Sequence, residues 1–170
     1  MKKFRFQLLH EYIISHFSPS KVADIGGGKG LLTYLLNQSG FKSVVIDPYE
    51  QSLPKKFKDL KIQKHKISDG QSVPRIDRNF EKEMAKDFDL LIGLHAHGSN
   101  MKIIEAAAEY KKDLILMPCC VIDEPITPQP DINWLDSLEE YANKLGLKTK
   151  RFELNFRGQN IGFYTCNSEF

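Results

Sequence analysis

The sequence contains no apolar run close to the roughly 18 residues that a membrane-spanning helix requires. It has only three cysteines, two of them adjacent, so a disulfide-stapled scaffold is excluded. The N-terminal residues are charged and lack the apolar core of a signal peptide. Hydrophobic residues make up 41% and charged residues 27% of the 170 residues, which is ordinary globular usage. We therefore expect one cytoplasmic domain over residues 1–170, with reduced thiols.

Acidic residues are scarce in the first part of the chain. Residues 1–66 hold 12 lysines and arginines against 5 acidic residues, whereas residues 67–170 hold 12 against 17. The formal net charge of the whole chain is only +2. A basic first part can attract a phosphate backbone, but a solvated lysine-rich surface explains the same composition. Charge alone leaves both interpretations open.

Helical and strand patterns alternate along the chain. Apolar spacing predicts helices over residues 4–17, 31–37, 101–110 and 134–145. Short apolar runs predict strands over residues 22–25, 43–46, 61–67, 88–94 and 114–117, followed by a hairpin over 151–156 and 161–165. Such alternation predicts an α/β fold of the Rossmann-like, doubly wound type, with a mostly parallel seven-stranded sheet and a C-terminal antiparallel hairpin. The helix within residues 1–18 is expected to pack on the sheet.

A glycine cluster follows the first predicted strand. Residues 24–30 read Asp-Ile-Gly-Gly-Gly-Lys-Gly and stand between a strand and a helix. A nicotinamide-type G-x-G-x-x-G pattern fails here, because its third glycine would be Leu31. The pattern D-x-G-x-G-x-G is complete. Glycines at this point allow positive φ and a close approach of the backbone to a ligand, although a tight turn without a ligand would look the same.

This segment resembles motif I of the class I S-adenosylmethionine-dependent methyltransferases. The resemblance implies S-adenosylmethionine as cofactor and a glycine turn beneath its amino-acid and ribose parts. Asp47 ends the second predicted strand, where the family has an acidic residue on the ribose hydroxyls. Asp69 stands where the family often has a partner for adenine, although a turn or capping role is an equal alternative. The implied cofactor-binding residues are Asp24, Gly26, Gly28, Gly30, Asp47 and Asp69.

Two further clusters follow the fourth and fifth predicted strands. They read Gly-Leu-His-Ala-His-Gly over residues 93–98 and Pro-Cys-Cys over residues 118–120. Together they resemble a methyltransferase branch that includes eukaryotic tRNA 2′-O-methyltransferases and related protein-methyltransferase-like domains. The resemblance covers roughly residues 20–122. The chain departs from that branch at His97, at Ser99-Asn100 and at Val121, and it lacks an N/D-P-P-Y/F sequence.

The resemblance makes His95, Cys119 and Cys120 the candidate catalytic residues. His95 could accept a proton from the methyl acceptor, or it could simply hold its loop through hydrogen bonds. The two thiols could be packing residues, could carry covalent or proton-transfer chemistry, or could bind zinc with His95 and His97. On an extended strand the two histidines would point the same way and the adjacent cysteines opposite ways. Metal binding is therefore an alternative, and no metal ligand is assigned.

The sequence gives weaker indications about the substrate. Trp134 is expected in the core, and the proline-containing loop over residues 121–131 is a natural substrate lid. A group of lysines could contact RNA or protect a sheet edge: Lys55, Lys56, Lys58, Lys61, Lys64 and Lys66. We expect a methyltransferase acting on RNA or, second, on protein, without a membrane and with a partner subunit possible for substrate recognition. The alternatives are a non-catalytic binding protein of the same fold and a zinc-binding module.

Overall fold

The computed structural model describes residues 4–126, 128 and 130–165. Its helices are α1 (Arg5–His16), α2 (Leu31–Gln38), α3 (Asn100–Tyr110) and α4 (Trp134–Lys144), with a 3-10 helix at Lys82–Asp87. Its strands are β1 (Lys21–Ile25), β2 (Lys42–Ile46), β3 (Lys56–Lys58), β4 (Lys64–Lys66), β5 (Arg75–Ile76), β6 (Leu90–Leu94), β7 (Asp113–Met117), β8 (Thr149–Glu153) and β9 (Ile161–Thr165). No helix within the described ranges has the length and apolar character of a membrane span.

Seven of the strands form one sheet in the order β5-β2-β1-β6-β7-β9-β8. The first five strands of that order are parallel, and β9 and β8 close the sheet as an antiparallel hairpin. The predicted fold is therefore confirmed. The chain moves outward from β1 to β2 and then returns to β6 on the other side of β1. This reversal makes the β1–β6 junction the point where open α/β sheets bind ligands.

Both faces of the sheet are covered by helices. Side chains alternate along the strands, so Leu91 faces one apolar cluster and Ile92 the other. Helices α3, α4 and the 3-10 helix cover the first face, where Trp134 packs against the cluster as predicted. Helices α1 and α2 cover the second face, and Leu9 and Ile13 anchor α1 there with no exposed surface. The N-terminal helix thus packs on this face of the sheet.

One predicted strand was placed wrongly. Residues 61–67 were expected to form the third parallel strand, but Lys64–Lys66 pairs antiparallel with Lys56–Lys58 in a separate two-stranded ribbon. The strand that joins β2 is Arg75–Ile76. All three residues of β4 are exposed, and a lysine-histidine-lysine sequence has no apolar side chain to bury between layers. This shift changes which residues follow the third strand of the sheet.

Candidate functional site

The glycine turn adopts the left-handed backbone that its sequence indicates. Gly26, Gly28 and Gly30 have φ of 68°, 54° and 77°. A Cβ on Gly30 would lie 2.7 Å from the Val73 side chain, so packing alone already requires glycine there. A Cβ on Gly26 would lie 3.1 Å from the Ala96 Cβ. The turn is therefore bare backbone held tightly between β1, β2 and the loop after β6.

Asp24 stabilises this turn from the buried side. Its side chain is buried, and its Oδ2 accepts a hydrogen bond of 2.9 Å from the Thr33 hydroxyl. Since that hydroxyl has one hydrogen, the Ser43 hydroxyl 3.0 Å away donates to Thr33 in turn. Burial raises the pKa of Asp24 to about 6, against the opposing effect of the Thr33 hydrogen bonds. Asp24 does not line the cleft described next, and its hydrogen bond to Thr33 gives it a positioning role; its contact with the cofactor stays a prediction.

A cleft of about 300 Å³ opens at the carboxyl ends of β1, β2 and β6. Of the motif glycines, only Gly26 lines it, together with Asp47 at the end of β2. The remaining lining residues are Ile25, Ile46, Pro48, Tyr49, Asn79, Phe80, His95, Ala96, His97 and Ser99. The cleft therefore combines glycine backbone, one carboxylate and the histidine loop at the sheet's reversal point.

Asp47 is the acidic residue that lines this cleft, and its role on the ribose hydroxyls stays a prediction. Its Oδ2 accepts from the Gly28 N–H and its Oδ1 from the Tyr49 N–H, each at 2.9 Å. These two bonds fix the carboxylate while leaving each oxygen a lone pair for a further donor. The residues present thus fit a nucleoside with a vicinal diol.

Asp69 does not belong to this cleft. It is exposed in a turn and lines a separate depression beside Lys55 and Arg75. Because the third strand of the sheet is Arg75–Ile76, the polar residue that reaches the cleft after that strand is Asn79. The Asp69 assignment depended on a third strand at residues 61–67, and with Arg75–Ile76 as that strand its contact with adenine stays a prediction.

Sequence reasoning missed Arg75, which braces the turn. Its guanidinium donates to the Gly28 carbonyl at 2.7 Å and to the Tyr49 carbonyl at 2.9 Å, while its Nε pairs with Asp77. The glycine turn and the loop after β2 are thereby joined by one side chain. No local pattern marks this arginine, because both carbonyl partners are distant in sequence.

The ring of His95 lies at the cleft with both nitrogens in contact with partners. Its Nδ1 is 3.1 Å from Arg5 Nη1, and its Nε2 is 3.1 Å from the Gln159 carbonyl. A guanidinium only donates and a carbonyl only accepts, so Nδ1 is unprotonated and Nε2 carries the hydrogen. Burial lowers the pKa of Arg5, and the Cys119 sulfur acts in the opposite direction. The role of His95 as a base stays a prediction, because its lone pair is directed at Arg5.

His97 contacts the two cysteines and not the partners of His95. Its Nε2 lies 2.9 Å from Cys119 Sγ and 3.5 Å from Cys120 Sγ, and the two sulfurs are 3.4 Å apart. His95 has a left-handed φ of 57°, so the backbone is no longer extended there. A shared direction for the two histidines was expected only on an extended backbone, and here the two rings contact different partners. We call His97, Cys119 and Cys120 the thiol–imidazole cluster.

The loops that carry these groups are tied together. The Gly98 N–H donates to the Ile122 carbonyl at 3.1 Å, and the His95 N–H donates to the Met117 carbonyl at 2.9 Å. The Glu124 carboxylate accepts from the backbone N–H groups of Asn100 and Met101, which satisfies the start of α3. The first residues of the predicted lid are therefore a fixed wall beside α3. Thr127 and Gln129 lie outside the described residues.

Replacing Gly26 with alanine should lower both the stability of the chain and the affinity of the cleft for its ligand. A left-handed alanine costs about 1–2 kcal/mol, and the new Cβ also meets Ala96. Gly70→Ala is the matched control, since Gly70 has a φ of 81° and open space around it. Denaturant unfolding should show the larger loss for Gly26→Ala. Equal losses would mean that the contact with Ala96 relaxes without cost.

Comparison with solved structures identifies the fold as that of class I S-adenosylmethionine-dependent methyltransferases. A SAM-dependent methyltransferase from Archaeoglobus fulgidus matches 86% of this chain and 71% of its own, with a TM-score of 0.54 and 15% identity. A 1,6-didemethyltoxoflavin-N1-methyltransferase from Burkholderia thailandensis, solved with S-adenosylhomocysteine, matches 94% of this chain and 76% of its own, with a TM-score of 0.53 and 11% identity.

Curated sequences add a more specific likeness. A probable tRNA (uracil-O(2)-)-methyltransferase from Caenorhabditis elegans is 35% identical over 103 residues, which is 60% of this chain. Its counterpart from Caenorhabditis briggsae is 32% identical over 102 residues. The chain spans 17% of the length of each of these relatives. No family model matches the chain.

Proposed function

We propose that this protein is an S-adenosylmethionine-dependent methyltransferase. One observation carries the proposal: a bare glycine turn and the Asp47 carboxylate flank a cleft at the sheet's reversal point. The cofactor, when bound, supplies an activated methyl group. The fold matches proteins that carry out this chemistry, and the chain itself provides binding and alignment.

The proposal assigns separate roles to five residues that line the cleft and to two residues that support it. Asp47 accepts hydrogen bonds from the ribose hydroxyls, and Gly26 lets the cofactor lie against the turn. Asn79 takes the adenine-side position first assigned to Asp69. Asp24 and Arg75 hold the turn and its neighbouring loop in place without contacting the cofactor. His95 and His97 also line the cleft, and we place the methyl acceptor beside them.

RNA is the substrate that we propose, and the lysine ribbon is its docking surface. We define the lysine ribbon as β3 and β4. Cross-strand pairing sets Lys56 beside Lys66 and Lys58 beside Lys64, so four ammonium groups share one face. Like charges opposite each other destabilise a strand pair, and an anionic backbone would relieve that repulsion.

The other face of the lysine ribbon packs on the domain. Phe57 contacts the Tyr34 ring at 6.1 Å between centroids, and the Lys58 carbonyl accepts from the Gln7 side chain at 2.6 Å. These contacts hold the charged face outward. The two curated relatives are named as probable tRNA methyltransferases, and these names support RNA as the substrate class. A partner subunit for recognition and a cytoplasmic location remain parts of this proposal.

The test of activity is transfer of a labelled methyl group from S-adenosylmethionine to separated tRNA, ribosomal RNA, protein and small-molecule fractions. We expect label in tRNA, in a nucleotide whose 2′-hydroxyl is blocked. Label in protein alone would replace RNA with the second substrate class. Tight cofactor binding without transfer to any fraction would favour a non-catalytic binding protein of the same fold.

Neutralising one lysine pair of the ribbon should weaken RNA binding in a salt-dependent way. Lys56→Gln with Lys66→Gln removes two phosphate contacts, so the slope of log affinity against log salt should fall by about 1.5–2. The matched control is Lys102→Gln with Lys144→Gln, which removes two exposed lysines that pair with Glu81 and Glu140. Equal slopes for parent and ribbon variant, measured by filter binding, would remove the ribbon from the interface.

A further inference from the structure

We propose that the thiol–imidazole cluster binds one Zn²⁺ through Cys119 Sγ, Cys120 Sγ and His97 Nε2, with a fourth position open. The three donor atoms lie within 4.8 Å of one another. Two thiolates and an imidazole are a donor set that zinc favours over magnesium or calcium. The two thiolate charges balance the metal, so the bound site carries no net charge.

The distances within the cluster are close to those that the metal requires. Tetrahedral zinc, with Zn–S of about 2.3 Å and Zn–N of about 2.0 Å, sets its ligand atoms roughly 3.5–3.8 Å apart. The Cys120–His97 distance is 3.5 Å and the sulfur–sulfur distance is 3.4 Å. Only the Cys119–His97 distance of 2.9 Å has to open appreciably. Small side-chain rotations therefore suffice.

Adjacent cysteines reach one metal here because they lie beyond the strand. β7 ends at Met117, and Pro118 separates it from the two thiols. The alternation that turns neighbouring side chains to opposite faces applies to extended strands and has ended at this point. Both sulfurs consequently approach the same imidazole nitrogen. Adjacent cysteines can therefore bind one metal ion together in the folded chain.

Hydrogen bonds preorganise the loops that carry the cluster. The loop after β6 is bonded to the loop after β7 through Gly98 and Ile122, and Glu124 fixes the second loop to the start of α3. Holding the ligands in this way reduces the conformational entropy that metal binding must overcome. The structure provides a rigid site, with Cys119 and Cys120 half-buried and His97 exposed.

Three protein ligands and one open position are typical of zinc that acts on a substrate, whereas structural zinc has four protein ligands. His95 does not complete the set, because its two nitrogens contact Arg5 and Gln159. His97 also lines the cofactor cleft, so the ion would sit at the rim where the acceptor enters. An acceptor oxygen at the fourth position would lose its proton more readily. That last step rests on the proposed methyl transfer, whereas zinc binding does not.

The test measures metal without cofactor or RNA, so its result is independent of methyl transfer. The full chain with Cys166→Ser keeps only the two cluster thiols and is purified with a phosphine reductant and without chelators. We expect about one Zn²⁺ per chain by plasma emission spectrometry. Replacement by Co²⁺ should give a thiolate charge-transfer band and the intense visible bands of a tetrahedral site.

Variants separate a metal site from a hydrogen-bonded cysteine–histidine pair. Cys119→Ser, Cys120→Ser and His97→Ala should each lose most of the zinc, with folding checked by circular dichroism. His95→Ala, two residues away, is the matched control and should retain it. Far less than stoichiometric zinc together with no cobalt–thiolate band would overturn the proposal. Loss of zinc from folded His95→Ala equal to that from His97→Ala would overturn the three-ligand set.

Discussion

Replacing Asp47 with alanine should weaken the binding of S-adenosylmethionine by about 1.5–3 kcal/mol, or roughly 10- to 150-fold. Asp47 is 7% exposed and lines the cleft, and the proposed cofactor would set its ribose hydroxyls beside this carboxylate. Two charge-assisted hydrogen bonds to the vicinal hydroxyls would be lost together. Titration calorimetry of parent and variant measures the difference directly.

One further measurement and one control variant decide whether the loss of affinity comes from the ribose contact or from the turn. Asp47 also accepts from Gly28 and Tyr49, so part of the effect could arise from a loosened loop. Thermal unfolding of Asp47→Ala without cofactor measures how much stability the loosened loop costs. Asp69→Ala is the matched control, since it removes a carboxylate that lies outside the cleft. Unchanged affinity in Asp47→Ala, or an equal loss in Asp69→Ala, would contradict the assignment of Asp47.

Local patterns predicted the sheet and the glycine turn because their causes are local. Strands buried on both faces need continuous apolar runs, and a turn with φ of 68° and 77° at Gly26 and Gly30 needs glycine. Arg75–Ile76 is a two-residue strand, too short to show any period. The lysine-containing run over residues 61–67 is longer, so the sequence favours it as the third strand, followed by Asp69.

The contacts that complete the site are non-local and could not be read from spacing. Arg75 and Gly28 are 47 positions apart, and Glu124 and Asn100 are 24 positions apart. The backbone at His95 is left-handed, with a φ of 57°, and no glycine stands at that position to indicate it. Only the folded structure shows that the two histidines lie in different environments.

The largest pH effect on stability is expected from Asp24. Its pKa is raised to about 6 in the folded chain, mainly by burial, whereas an unfolded aspartate titrates near 3.9. The folded state therefore binds more protons than the unfolded state between about pH 4 and pH 6. The stability that this group contributes is fully present below about pH 4 and is lost as the pH rises through 6.

Replacing Asp24 with asparagine should remove this loss. Asparagine is neutral at every pH and its amide oxygen can still accept from Thr33. The free energy of unfolding of the variant, relative to that of the parent, should rise by about 2–3 kcal/mol between pH 4 and pH 7. Urea unfolding at several pH values isolates this difference from the titration of other carboxyls. Thr33→Val removes the hydroxyl that opposes the rise in the pKa of Asp24. In this variant the loss of stability seen in the parent should extend to higher pH. A difference between Asp24→Asn and parent that stays constant from pH 4 to pH 7 would mean that Asp24 titrates alike in both states.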